Sequence, residues 1–162
     1  MSTNIDFTRQ LIKGRIAENI FAQMYRSSGH FTVLEFGYEN IVPELVQHGY
    51  REDIEGGIIS TLKTAPDFAV IDTSAHSEKV QLVEVKYRKK LDRAETLRIA
   101  QHMQKSWNPS YLFIATLDDF YFGAIGDIIA KDGWIKPLDD PRLPKHETQQ
   151  YLQILRDFET EK

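Results

Sequence analysis

Two short apolar runs, PDFAVID at residues 66–72 and VQLVEVKYR at 80–88, constrain this chain more than any other feature. Phe68, Val70, Ile71, Leu82, Val83 and Val85 are residues that favour strands. The polar spacer TSAHSEK is short enough to make the two runs antiparallel neighbours. Strands this apolar belong in a core, where unpaired charge is costly. Yet Asp67 opens the first run, and Glu84 and Lys86 interrupt the second. Side chains alternate along a strand, so Leu82, Glu84 and Lys86 share one face and Val83 and Val85 the other. Pro66 has no N–H to donate and favours a strand start, which puts Asp67 where the neighbouring strand opens. Pairing the two strands brings the carboxyls of Asp67 and Glu84 together. Such carboxylates repel, and a divalent cation relieves them; oxygen ligands alone select a hard ion, Mg²⁺ or Mn²⁺. Lys86 reaches the same spot. A carboxylate-held cation beside an ammonium suits hydrolysis of a phosphodiester. The competing reading is a structural ion pair of Lys86 with Asp67 or Glu84 in some unrelated α/β protein.

Elsewhere the pattern alternates between helix and strand. Residues 6–29 read as a helix, capped by Asp6 or Thr8, with Leu11, Ile16, Ala17, Ile20, Phe21, Met24 and Tyr25 on one apolar face. Residues 30–39 read as a strand. The insert at about 40–65 gives no clear pattern beyond a tight turn at 55–57. Residues 91–107 form a second helix, with Asp92 and Glu95 as a capping-box variant. Strands follow at 110–117 and in FYFGAIG, then a helix at about 147–158. The order α-β-β-β-α-β, with additions after about residue 117, predicts an α/β fold with a mixed central sheet flanked by helices. At 162 residues, with 41% hydrophobic and 27% charged, the expected unit is a single domain over 1–162, its core at about 6–117.

The chain has no cysteine, which removes disulfides, Cys-held zinc and thiol nucleophiles. No apolar run reaches the ~18 residues of a membrane span, and the first residues have no signal-peptide core, so an intracellular, cytoplasmic protein is expected. The net charge of −4 argues mildly against a dedicated nucleic-acid binder, leaving a local patch, Arg88, Lys89, Lys90 and Arg93, as the place for phosphate contacts. The five histidines lack metal-ligand spacing. No phosphate-binding glycine loop or GxSxG elbow occurs. Asp53 and Glu55 are further acids, more simply read as part of a solvated loop. Tyr111, Phe113, Phe120, Tyr121, Phe122 and Trp134 are core-like at strand spacing.

Pro66-Asp67 followed by Glu84-Val85-Lys86 resembles the signature of the PD-(D/E)XK nuclease superfamily, to which restriction endonucleases and archaeal Holliday-junction resolvases belong. The element order over residues 6–117 is similar to its α-β-β-β-α-β core. The resemblance implies a restriction-endonuclease-like fold and a Mg²⁺- or Mn²⁺-dependent nuclease acting on nucleic acid, DNA by default. It implies Asp67 and Glu84 as metal ligands, with the backbone carbonyl of Val85 as a further one, and Lys86 as the catalytic lysine. It also implies a glutamate from the first helix, here Glu18, and an accessory polar residue on the second helix. For the latter Gln104 has the better position on the inner face, and Gln101 lies at its edge. Cutting both strands of a symmetric duplex would call for a homodimer. The alternative on the same fold is an inactive nucleic-acid-binding or protein-interaction module.

Overall fold

A computed structural model of the chain describes residues 4–37, 64–73 and 79–160. The sequence periodicity at the start becomes helix α1, Asn4–Ser27, followed at once by strand β1, Phe31–Glu35. The two charged runs form β2, Phe68–Asp72, and β3, Val80–Tyr87. Helix α2, Arg93–Gln104, leads to β4, Tyr111–Ala115, and β5, Phe120–Ala124. Helices α3, Ile125–Ala130, and α4, Lys145–Thr160, complete the order. Most of the insert at 40–65 lies outside the described residues, as do His48, Asp53, Glu55 and His76.

The five strands make one open mixed sheet in the order β1-β2-β3-β4-β5. β1–β2, β2–β3 and β4–β5 pair antiparallel, and β3–β4 pair parallel, joined through α2. Helices flank the sheet, giving two apolar layers. In the first, Phe21, Met24 and Tyr25 of α1 and Leu152 and Leu155 of α4 pack with Val83, Val85, Phe113 and Phe120. In the second, Ala100 and Met103 of α2 join Leu112, Ile114, Ile125 and Ile128. Phe21 is the hub of the first layer, with its ring 5.0–5.3 Å from those of Phe68 and Phe113. A side chain so enclosed costs about 3–5 kcal/mol to truncate to alanine.

The α2 start is as expected: Asp92 is the N-cap, and its carboxylate accepts from the Glu95 N–H at 3.0 Å. The Glu95 side chain does not close the box; it pairs with Arg88 instead. Three expectations need correction. α1 begins at Asn4, ahead of both proposed caps, and Thr8 bonds back to the Asn4 carbonyl within the helix. Leu11 keeps the apolar periodicity but is exposed, because the first turns of α1 run beyond the buried part of the helix. Trp134 is exposed as well, with the Lys131 ammonium 4.9 Å from its ring. The short helix α3 was not legible in FYFGAIG; it follows β5 without a break. Among the described residues no helix is long and apolar enough to cross a membrane.

Candidate functional site

The β2–β3 ladder ends at the pair Phe68–Val83. One antiparallel step further, Asp67 stands opposite Glu84, and there the strands part. β1 fixes this point from the other side. The N–H groups of Phe36 and Gly37 both donate to the Asp67 carbonyl, at 2.9 and 3.2 Å. Gly37 lies against Pro66 and Asp67, where a methyl group would make ordinary van der Waals contact. The Asp67 carboxylate crosses the gap and accepts from the Val85 N–H at 2.8 Å. In an extended strand one residue's N–H and C=O point to the same edge, so the Val85 carbonyl also faces this gap.

Glu84 is 16% exposed and Lys86 35%, with their charged atoms 3.8 Å apart. Burial pushes the Glu84 carboxyl up to about 9. Its hydrogen bond to Asp67 and the negative charge of Asp67 and Glu18 push the same way, and Lys86 opposes them. Glu84 therefore keeps its proton at neutral pH, hydrogen-bonded to Asp67. That proton is the group a cation would displace.

These residues open into a cavity of about 590 Å³ that also takes Glu18 from α1, Glu35 from the end of β1, and Arg15 and Arg88. Arg15 lies 3.7 Å from Glu18 on the next face of the helix. The structure thus brings Glu18, Asp67, Glu84, Val85 and Lys86 to one place. Glu35 was missed in sequence; the signal was its position as the last residue of a strand that pairs beside Asp67. The donor set, carboxylates and one carbonyl, fits a hard cation by its chemistry. Among the described residues, no three acidic or imidazole groups stand close enough to form a ready metal-binding group.

The accessory glutamines are a correction. Gln101 and Gln104 are exposed and neither lines the cavity, because α2 turns Thr96, Ala100 and Met103 inward instead. The basic patch divides. Lys89 and Lys90 are exposed, and Arg88 lines the cavity while bound to Glu95 and to its neighbour's carbonyl, that of Tyr87. Arg93 is committed elsewhere: its guanidinium donates to the carbonyls of Lys131 and Asp132 at 2.9 and 3.0 Å. That turn is pinned by Gly133, whose φ of 94° and closeness to Arg93 leave no room for a side chain.

Behind the cavity, Tyr87 donates to Glu159 of α4 at 3.2 Å, and Lys13 of α1 pairs with the same carboxylate. Burial and then Glu159 push the Tyr87 hydroxyl up to about 12. Family models, curated proteins and solved structures were all compared with the chain, and none matches.

Proposed function

We propose that the chain is a divalent-metal-dependent nuclease on a restriction-endonuclease-like fold, hydrolysing phosphodiester bonds in nucleic acid, in the first instance DNA. The observation that carries this reading is the opposition of Asp67 and Glu84 where β2 leaves β3, in an open cavity shared with Lys86 and Glu18. The element order α1-β1-β2-β3-α2-β4 and the mixed sheet support the fold.

Asp67, Glu84, the Val85 carbonyl and Glu18 would hold Mg²⁺ or Mn²⁺. The ion's contribution there is a water of lowered pKa and a positive charge for the phosphoryl oxygens. Glu84 loses its proton on loading. The Lys86 ammonium, held by Glu84 on one side, stabilises negative charge developing on the phosphate. Lys89 and Lys90, exposed just beyond the cavity-lining Arg88, meet the neighbouring phosphates.

The test is cleavage of plasmid, linear duplex, single-stranded and four-way-junction DNA and of RNA, in Mg²⁺, Mn²⁺ and EDTA. Lys86→Ala serves as the control. Metal-dependent cutting lost in that variant supports the proposal; a variant that still turns over sinks the role of Lys86.

Two observations favour a second reading, an inactive binding module on the same fold. Asp67 already serves the Val85 N–H, and the acids do not converge on a point. Absence of both cutting and metal-dependent thermal stabilisation would select that module.

A further inference from the structure

Helix α1 carries more than Glu18 to the cavity. At 100° per residue, Phe7, Leu11 and Gly14 fall within about 40° of Glu18, so the four make one stripe along the helix. Leu11, Gly14 and Glu18 line the cavity, and Phe7 continues the same line one turn further out. Phe7 is 63% exposed and Leu11 57%. A methyl group on Gly14 would meet nothing within 4 Å, so packing does not require a glycine there; its effect is to leave the wall bare between Leu11 and Glu18. The stripe runs about 16 Å from Phe7 to Glu18. Ile5 and Ile12, also exposed, lie more than 100° round the helix and do not belong to it.

An exposed apolar strip continuous with a charged cavity marks a binding surface. Its neighbours define the ligand. Arg15 stands on the same helix wall and Lys86 across from it, each within 4 Å of an acid of the same cavity, so the flat apolar surface has cations as well as carboxylates beside it. A polymer with planar apolar rings joined by anionic links matches both features. In a duplex those rings are covered by their neighbours, and only unpaired bases offer a free face to an aromatic side chain. Resting on the nuclease reading above, we infer that the Phe7–Leu11 stripe is a stacking platform that admits an unpaired strand to the cavity. The preferred substrate is then single-stranded nucleic acid or an unpaired end.

Binding is measured without turnover, by anisotropy of a short labelled oligothymidylate, the corresponding oligouridylate and a duplex, at low salt in EDTA and again in Ca²⁺. The wild type is expected to favour the single strands. Phe7→Ala with Leu11→Ala weakens single-strand binding about tenfold and changes duplex binding less than about twofold. Both side chains are exposed, so the variant folds. In a second readout, Phe7→Trp emission, taken as a difference from the wild type with its Trp107 and Trp134, is quenched by the single strands and unaffected by the duplex. Whichever of the deoxy and ribo strands binds more tightly names the sugar. Equal losses on both forms, duplex preference, unquenched emission, or no binding of any strand overturns the platform. Tight single-strand binding that depends on Phe7, with no cleavage in Mg²⁺ or Mn²⁺, leaves the platform standing and removes only the catalytic reading.

Discussion

At the C-terminal end of β2, Asp72 meets Arg142; at its N-terminal end, Asp67 meets another carboxyl. Arg142 also reaches Asp140, at 2.9 Å, and its guanidinium lies 4.5 Å from the Phe31 ring. The hydrogen bond from Arg142 holds the Asp140 carboxyl below the usual range, although burial works against it. At the other end burial pushes Glu84 up to about 9, and the nearest cation in that cluster, Lys86, stands off at 3.8 Å. One strand thus carries a clasp with its cation built in and an acidic pair without a close one. The clasp reads as structure, since one guanidinium bridges both of its carboxylates directly. The pair reads as a candidate site, since Lys86 offsets its negative charge only in part and Glu84 still stays raised to about 9.

Several measurements would break or sharpen that contrast. The largest effect is expected at Lys86: Lys86→Ala should lower kcat by a factor of about 10² to 10³ while metal-dependent thermal stabilisation survives. Next, Arg142→Ala should destabilise by about 2 kcal/mol, read as a melting temperature lower by roughly 4–8 °C. The clasp also has a pH signature. A carboxyl with a lowered folded-state pKa contributes stability above its ordinary value, 3.8 for Asp140, and loses it as pH falls through the folded value. Urea unfolding of Arg142→Ala across the acid range should show that loss reduced.

The acidic pair should behave in the opposite sense. With a folded value near 9 against an ordinary 4.5, Glu84 keeps a proton that the unfolded chain gives up, so stability falls as pH climbs between those values. In EDTA at pH 8, Glu84→Gln should therefore melt higher than the wild type, with the gap closing toward pH 4.5. Mg²⁺ or Mn²⁺ at ten times its Kd should stabilise the wild type by about 1.4 kcal/mol, and neither Glu84→Gln nor Asp67→Asn by as much. A Glu84→Gln variant that melts lower at pH 8 would make Glu84 a structural partner and erase the contrast. The smallest change is expected for Glu159→Gln, about 1 kcal/mol or less, since that carboxylate sits in a partly solvated ion pair with Lys13.

Much of this was legible in the sequence, for reasons that differ by residue. Asp92 announced the start of α2 because an N-cap is a local event, complete within four residues. Asp67 and Glu84 could be placed together because short antiparallel runs leave few registers that keep their apolar faces aligned. Leu11 misled because periodicity tells which face of a helix is apolar and not where the helix outruns the sheet. Gln104 misled for a related reason: its angle on the helix lay beside Leu97 and Ala100, but α2 rotates to bury Met103 and leaves Gln104 in solvent. Arg93 looked like part of a basic patch until the turn at Lys131 and Asp132, almost forty residues on, claimed its guanidinium. Glu35 passed unnoticed because an acid ending a strand is common, and only the pairing of β1 with β2 sets it beside Asp67.

The packing of α1 against α4 has a consequence for how the protein is made. The hydroxyls of Ser27 and Tyr151 meet at 3.1 Å across 124 positions of chain, and Phe21 shares its apolar layer with Leu152 and Leu155. A nascent chain leaving the ribosome therefore carries an unsealed α1 face until α4 emerges. At about 5–20 residues per second that interval lasts several seconds or more, long enough for a holdase to bind. Chains stalled on the ribosome between residues 130 and 150 should be far more sensitive to protease than a chain in which α4 has emerged.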